Sequence, residues 1–274
     1  MRNPQLVVSL ACLCLCAPAQ AQDFGIRSFD IPTLEKLGHD MHVQNLAAWH
    51  ASDALEALHA RSELIQQKVA GWIVEDQPEG TLVRFIRQSD NGPEAAYDIQ
   101  YPASVDFARD KPPVTEPKDR QLTDSEKAQF AARTLALKSV TQRCSDSYNT
   151  VVLKDPEGDG WLAWALAVTT NPDMIMAGGH HRLTVSADGT KVLQMDLLSR
   201  SCAVMEKASG PDGSKVAALV TTQLVSNVPV ETFVFLNLEY RIPIIVLTPD
   251  RTEWGIVNGK IGRIGTVGEK AGAP

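Results

Sequence analysis

The stretch Tyr148-Asn-Thr-Val-Val-Leu-Lys-Asp155-Pro-Glu-Gly-Asp-Gly160-Trp-Leu-Ala-Trp-Ala-Leu-Ala-Val-Thr-Thr170, followed by a Pro/Gly loop and by His181-Arg-Leu-Thr-Val-Ser-Ala-Asp188-Gly-Thr-Lys-Val-Leu193, decides the fold. Runs of β-branched and aromatic residues separated by Asp/Gly/Pro clusters are consecutive antiparallel strands joined by tight turns. The series runs on to Cys202. Within it Trp161 and Trp164 are three apart and so face opposite sides of one strand, one towards the core and the other on a candidate binding surface.

Working outward, Thr123-Asp124-Ser125-Glu126 has the spacing of a capping box, and Phe130, Leu135, Leu137 and Val140 continue it as an alanine-rich helix. Residues 106–120 are charged and carry Pro112, Pro113 and Pro117, the composition of a linker. Before them, runs at 69–74, 81–87 and 95–101 predict a three-strand meander, with turns at 76–80 and 90–93. Pro32 marks a helix start, and Leu34, Leu37, Met41, Leu46, Trp49, Leu55, Leu58 and Ile65 recur at helical spacing, interrupted near Gly38 and Ser52-Asp53. That pattern predicts one broken helix or two short ones.

The chain thus repeats helix then meander, with a local echo between 74–80 and 153–158 that duplication or shared turn chemistry explains equally. Beyond Cys202 come a polar loop at 206–215, strand-like runs at 216–225, 231–238, 242–247 and 253–257, an Asn258-Gly259 turn and a last run at 260–264. The expected fold is α+β with antiparallel sheets: two helix-plus-meander units, 22–110 and 120–205, and a C-terminal group of strands, 206–274, that completes them.

Residues 1–21 combine Arg2, an apolar run too short to span a bilayer and Ala19-Gln20-Ala21, the pattern of a cleavable secretory signal. Cleavage near Ala21 predicts a periplasmic or secreted chain. No later segment is apolar for long enough to form a transmembrane helix. The formal net charge of −7, made more acidic by loss of Arg2, argues against nucleic acid as a partner. Of five cysteines, Cys12, Cys14 and Cys16 leave with the leader. Cys144 and Cys202 remain, most simply as one disulfide enclosing the strand series.

The alanine-rich helix, the Gly160-Trp161-Leu162 strand opening and the hairpin 182–193 make residues 123–198 resemble PepSY-type modules, the helix-plus-antiparallel-strand units of protease propeptides and many exported bacterial proteins. The resemblance implies inhibition or binding of a partner rather than catalysis, and it carries over no catalytic residue.

No nucleophile elbow, zinc-protease helix, phosphate-binding loop or dinucleotide fingerprint occurs in the sequence. His39 and His42 share a helical face, and His180 and His181 lie close to Met174 and Met176, a donor set suited to copper or zinc. Against this, adjacent histidines on a strand point to opposite faces, and Met-x-Met places two thioethers on one buried face. Asp155 to Gly160 opens like a calcium loop, but position twelve is Leu166 instead of Glu, leaving a solvated hairpin turn. His180 or His181 with Asp173 or Asp188, and Glu231 with Arg241, are the remaining acid/base pairs to consider. The expected function is an exported, non-catalytic protein that binds a macromolecular partner in the envelope, as an inhibitor or accessory factor. A copper- or zinc-binding protein using Met174, Met176, His180 and His181 is the alternative, and a hydrolase with an unrecognised site is the third reading.

Overall fold

The structure, a computed structural model, describes residues 25–107, 109–207 and 216–268. The expected leader 1–21 and most of the loop 206–215 lie outside the described residues. The fold is α+β, and its strands form four sheets among the described residues.

Helix α1 (Ile31–Leu58) begins where Asp30 accepts the Thr33 backbone N–H at 2.9 Å and Pro32 occupies the first turn. The helix does not break at Ser52-Asp53, because the Ser52 hydroxyl donates to the Ala48 carbonyl at 2.7 Å and is satisfied within the helix. After the short α2 (Arg61–Gln66) come β1 (Val69–Gln77), β2 (Gly80–Ser89) and β3 (Gly92–Pro102), paired in that order as the expected meander. The C-terminal half of α1 buries Ala47, Ala51 and Leu55 against one face of this sheet. The expected linker instead runs along β3: Thr115 bridges Asp98, and the Ala95 N–H reaches the Arg120 carbonyl at 2.9 Å. Val105 just ahead of this segment and Phe107 and Val114 on it pack into the same core, which the proline count alone conceals.

Helix α3 (Asp124–Ser139) starts with the capping box read from the sequence, Thr123 and Glu126 each accepting the other's backbone N–H. Phe130 covers the second face of the meander, and Ala128, Ala132 and Ala136 lie on the next sheet. That central sheet contains β4 (Tyr148–Lys154), β5 (Trp161–Ala167), β7 (His181–Val185) and β8 (Val192–Leu197) in the order β4-β5-β7-β8, while β6 (Met174–Met176) leaves it to pair with β9 (Val204–Glu206). Every residue of β5 is buried, because α3 covers one face and α1 the other. Neither tryptophan is therefore free for a partner: Trp161 lies under α3 and Trp164 on the opposite side, both buried.

The C-terminal part departs most from expectation. Residues 231–238 form α4 (Glu231–Tyr240) and not a strand. Phe233, Val234, Phe235 and Leu236 are all buried, and a helix buried on every side shows no 3.6-residue polarity rhythm that would separate it from a strand. α4 packs on α1 at Gly38, where an added Cβ would stand 2.4 Å from Val234 Cβ and 2.8 Å from the Glu231 carbonyl oxygen. Gly38 therefore marks a close helix crossing, not the expected break. β10 (Leu219–Thr222), β11 (Ile244–Leu247), β12 (Thr252–Val257) and β13 (Lys260–Thr266) complete a four-stranded sheet in which β10 and β11 run parallel, the exception to the antiparallel pattern. The Asn258-Gly259 turn has φ of 51° and 75°, the positive pair that a two-residue hairpin needs.

Candidate functional site

The loop 171–181, the strongest candidate for chemistry in the sequence, is built as architecture. Gly178 and Gly179 are required by packing: a Cβ on Gly179, whose φ is +79°, would lie 2.4 Å from Cys144 Cβ, and one on Gly178 would lie 2.4 Å from the Ser201 carbonyl oxygen. The two glycines seat the Cys144–Cys202 disulfide, which forms as expected with its Cα atoms 5.2 Å apart. Met174 pairs with Glu206 and Met176 with Val204 across β6 and β9. His180 is fully enclosed. Its Nδ1 accepts the Ala167 N–H at 3.1 Å and its Nε2 donates to the Met176 carbonyl at 3.0 Å, partners that fix a single neutral tautomer. His181 points the other way, its ring 6.2 Å from that of Tyr148. A metal on His180 would have to displace at least the Ala167 N–H from Nδ1, and no cluster of three or more His, Cys, Asp or Glu side chains suited to a metal occurs among the described residues. His39 is exposed, whereas His42 turns to Glu239 of α4 at 3.1 Å.

Burial pushes the His180 pKa down to about 4 from an ordinary 6.5. The folded value lies below the unfolded one, so the stability linked to this group is complete above about pH 6.5 and is lost as pH falls towards about 4. The expected loss is about 3 kcal/mol across that window. Urea titrations of wild type and His180→Gln at pH 7 and pH 4.5 check this, since the variant should show a shallower decline. Equal declines would refute it.

The acid/base pairs read from sequence re-sort as well. Glu231 pairs not with Arg241 but with Arg182, at 3.0 Å, and accepts from Trp164 Nε1 at 2.7 Å. Arg182 also holds Asp196 at 2.7 Å, and all three side chains are enclosed. The segment ahead of α1 is tied onto this cluster. The Arg27 backbone N–H donates to Asp196 and its carbonyl accepts from Arg182, its guanidinium holds Asp155 at 2.8 Å, and the two guanidinium groups lie 4.7 and 4.9 Å from the centre of the Phe29 ring. The Asp155 turn is a latch for that segment rather than a solvated hairpin end. Asp188, at the other hairpin, accepts from Ser186 and Thr190, and those bonds hold its pKa low, at about 2.

Where the meander meets the central sheet, polar side chains form a seam. Gln129 Nε2 donates to the Val74 carbonyl at 2.9 Å and the Val152 carbonyl at 3.2 Å, one on each sheet. Among the grooves that open beside it are two that share a wall. One, of about 500 Å³, lies between α1, β5 and α4, with Trp49 on its exposed rim; the other, of about 330 Å³, lies between α1, α2 and β1. Ser52, Glu56 and Trp72 line both, so the grooves adjoin. No spacing signal announced this seam, because its residues come from α1, β1, α3 and β4.

The remaining candidate surface is β8, the outer strand of the central sheet. Leu193, Met195 and Leu197 alternate onto the face that α3 covers farther in, yet remain 65%, 40% and 40% exposed. No protein-family model, curated protein or solved structure matches the chain. Among the described residues no helix is long and apolar enough to cross a membrane.

Proposed function

We propose that the chain is an exported envelope protein that binds another protein through β8, which takes up an extended segment of the partner. The observation that carries this reading is the row Leu193, Met195 and Leu197, left uncovered on an edge strand. Sheet edges are ordinarily blunted by charge, proline or a covering loop, because their free backbone groups recruit other strands. Here the edge carries apolar side chains at alternate positions, the arrangement that lets strand addition combine backbone hydrogen bonds with side-chain contacts. The resemblance of 123–198 to PepSY-type modules leans the same way, since partner binding is what that resemblance implies.

Site-specific photo-crosslinking in cells tests the proposal, with the probe at position 193 or 195 and a control at the equally exposed Ile264 of β13. A discrete adduct is expected from 193 and 195 and not from 264. Met195→Asp should weaken its formation by roughly 30-fold, the scale of a central apolar contact. Absence of an adduct at β8, or the same adducts from position 264, would sink the reading.

A further inference from the structure

Among the described residues the buried charges have partners, with one exception. Glu126 holds Arg84, Asp155 holds Arg27, and Arg182 holds Asp196 and Glu231. Arg133 of α3 is 9% exposed, yet no hydrogen bond or ion pair reaches its guanidinium among the described residues, and its Nε is a buried donor without an acceptor. Burial with no acidic neighbour pushes its pKa down to about 10. An uncompensated buried cation costs several kcal/mol, which a fold retains only where something repays it. The guanidinium lies 4.3 Å from the centre of the Trp72 ring, but stacking uses the face of the group and leaves its in-plane N–H donors free for a ligand.

The surrounding backbone is shaped to admit this side chain. β1 shifts register between Val69 and Gly71, and a Cβ on Gly71, with φ of +153°, would lie 2.5 Å from Arg133 Nη1. A bulge and a missing side chain together make room for the guanidinium in a strand that is otherwise regular. Arg133 and Gly71 both line the 330 Å³ groove, whose apolar walls are Leu55, Leu64, Ile65, Val69 and Phe85 and whose rim also carries Glu56 and Arg61. That volume falls within the range of small-ligand sites, about 300–1,000 Å³.

We propose that this groove is a binding site for a fatty-acid-type carboxylate, whose head group pairs with the Arg133 guanidinium while its alkyl tail lies along Leu55, Leu64 and Ile65. A carboxylate matches the planar donor fork of arginine in a two-point contact. Glu56 and Arg61 on the same groove offset each other, so Arg133 leaves the site one net positive charge, which asks for a head group with a single negative charge. The apolar walls favour an alkyl tail over a peptide, whose buried amides would find few partners there. This site is separate from β8 and does not depend on how β8 is used.

Calorimetric titration of the purified protein with decanoate, and with decanol as the uncharged tail control, tests the assignment. Decanoate should bind more tightly than decanol, and Arg133→Met should cut decanoate affinity roughly 10- to 100-fold, the worth of a charge-assisted contact, while leaving decanol binding unchanged. Without ligand, Arg133→Met should melt no lower than wild type, since it removes an unpaired charge; a purely structural arginine would show the reverse. Carboxyl-labelled decanoate followed by NMR needs no variant. Its bound resonance should titrate below that of the free acid. Equal binding of decanoate and decanol, undiminished decanoate binding by the methionine variant, or a bound carboxyl that titrates at or above the free value would overturn the proposal.

Discussion

Arg182→Met should be the most damaging single substitution in the chain, costing at least about 3–5 kcal/mol and more if both stranded acids contribute fully. Asp196 and Glu231 have fully enclosed side chains, and Arg182 is the guanidinium that both touch. Removing it leaves two carboxylates in the interior. Asp196 keeps only neutral donors, the Arg27 N–H and Gln194, and Glu231 keeps Trp164. The loss reaches beyond the cluster, because the Arg27 carbonyl also accepts from Arg182 and the segment ahead of α1 would lose one of its anchors. Chemical denaturation measures the loss. The diagnostic comparison is the triple variant Arg182→Met, Asp196→Asn, Glu231→Gln, which should recover much of it, because the penalty lies in uncompensated charge and not in lost shape. A wild-type midpoint for Arg182→Met alone would refute the account.

Replacing Cys144 and Cys202 with serine should cost about 4 kcal/mol, the chain entropy released when a loop of this span is opened. For a chain of this size that corresponds to a melting temperature lower by roughly 10 °C. The bridge joins residues separated by 58 positions and encloses β4 to β8, so the unfolded ensemble gains freedom across the whole central sheet. Gly178 and Gly179 form the other half of the device, since side chains there would press on Ser201 and Cys144. Differential scanning calorimetry of the double serine variant checks the size of the effect, and mass analysis of non-reduced peptides should recover Cys144 linked to Cys202. A melting point within a degree of wild type would show that the cross-link restrains little.

Local chemistry was readable directly. The capping box at Thr123 and Glu126, the Asn258-Gly259 turn, the meander at β1 to β3 and the pairing of Cys144 with Cys202 each depend on residues near in sequence or on elimination. Wherever packing outweighs propensity, the sequence misled. Gly38 and Ser52 read as breaks in α1, and the run at 231–238 reads as a strand until α4 is seen enclosed between α1 and the C-terminal sheet. The histidines and methionines at 174–181 advertised a site, yet the His180 ring is held by the Ala167 and Met176 backbone, whose positions no spacing rule supplies.

By itself, then, the sequence determined the α+β class, the order of most strands and the disulfide, because turn, cap and cysteine chemistry act over a few residues or leave one option. Only the tertiary structure decided which charges are paired and which surfaces stay open. Arg182 and Arg133 are alike as letters in the chain. Three-dimensional packing gives the first two carboxylates and leaves the second over Trp72 at the mouth of an apolar groove, because burial and pairing depend on elements far apart in sequence.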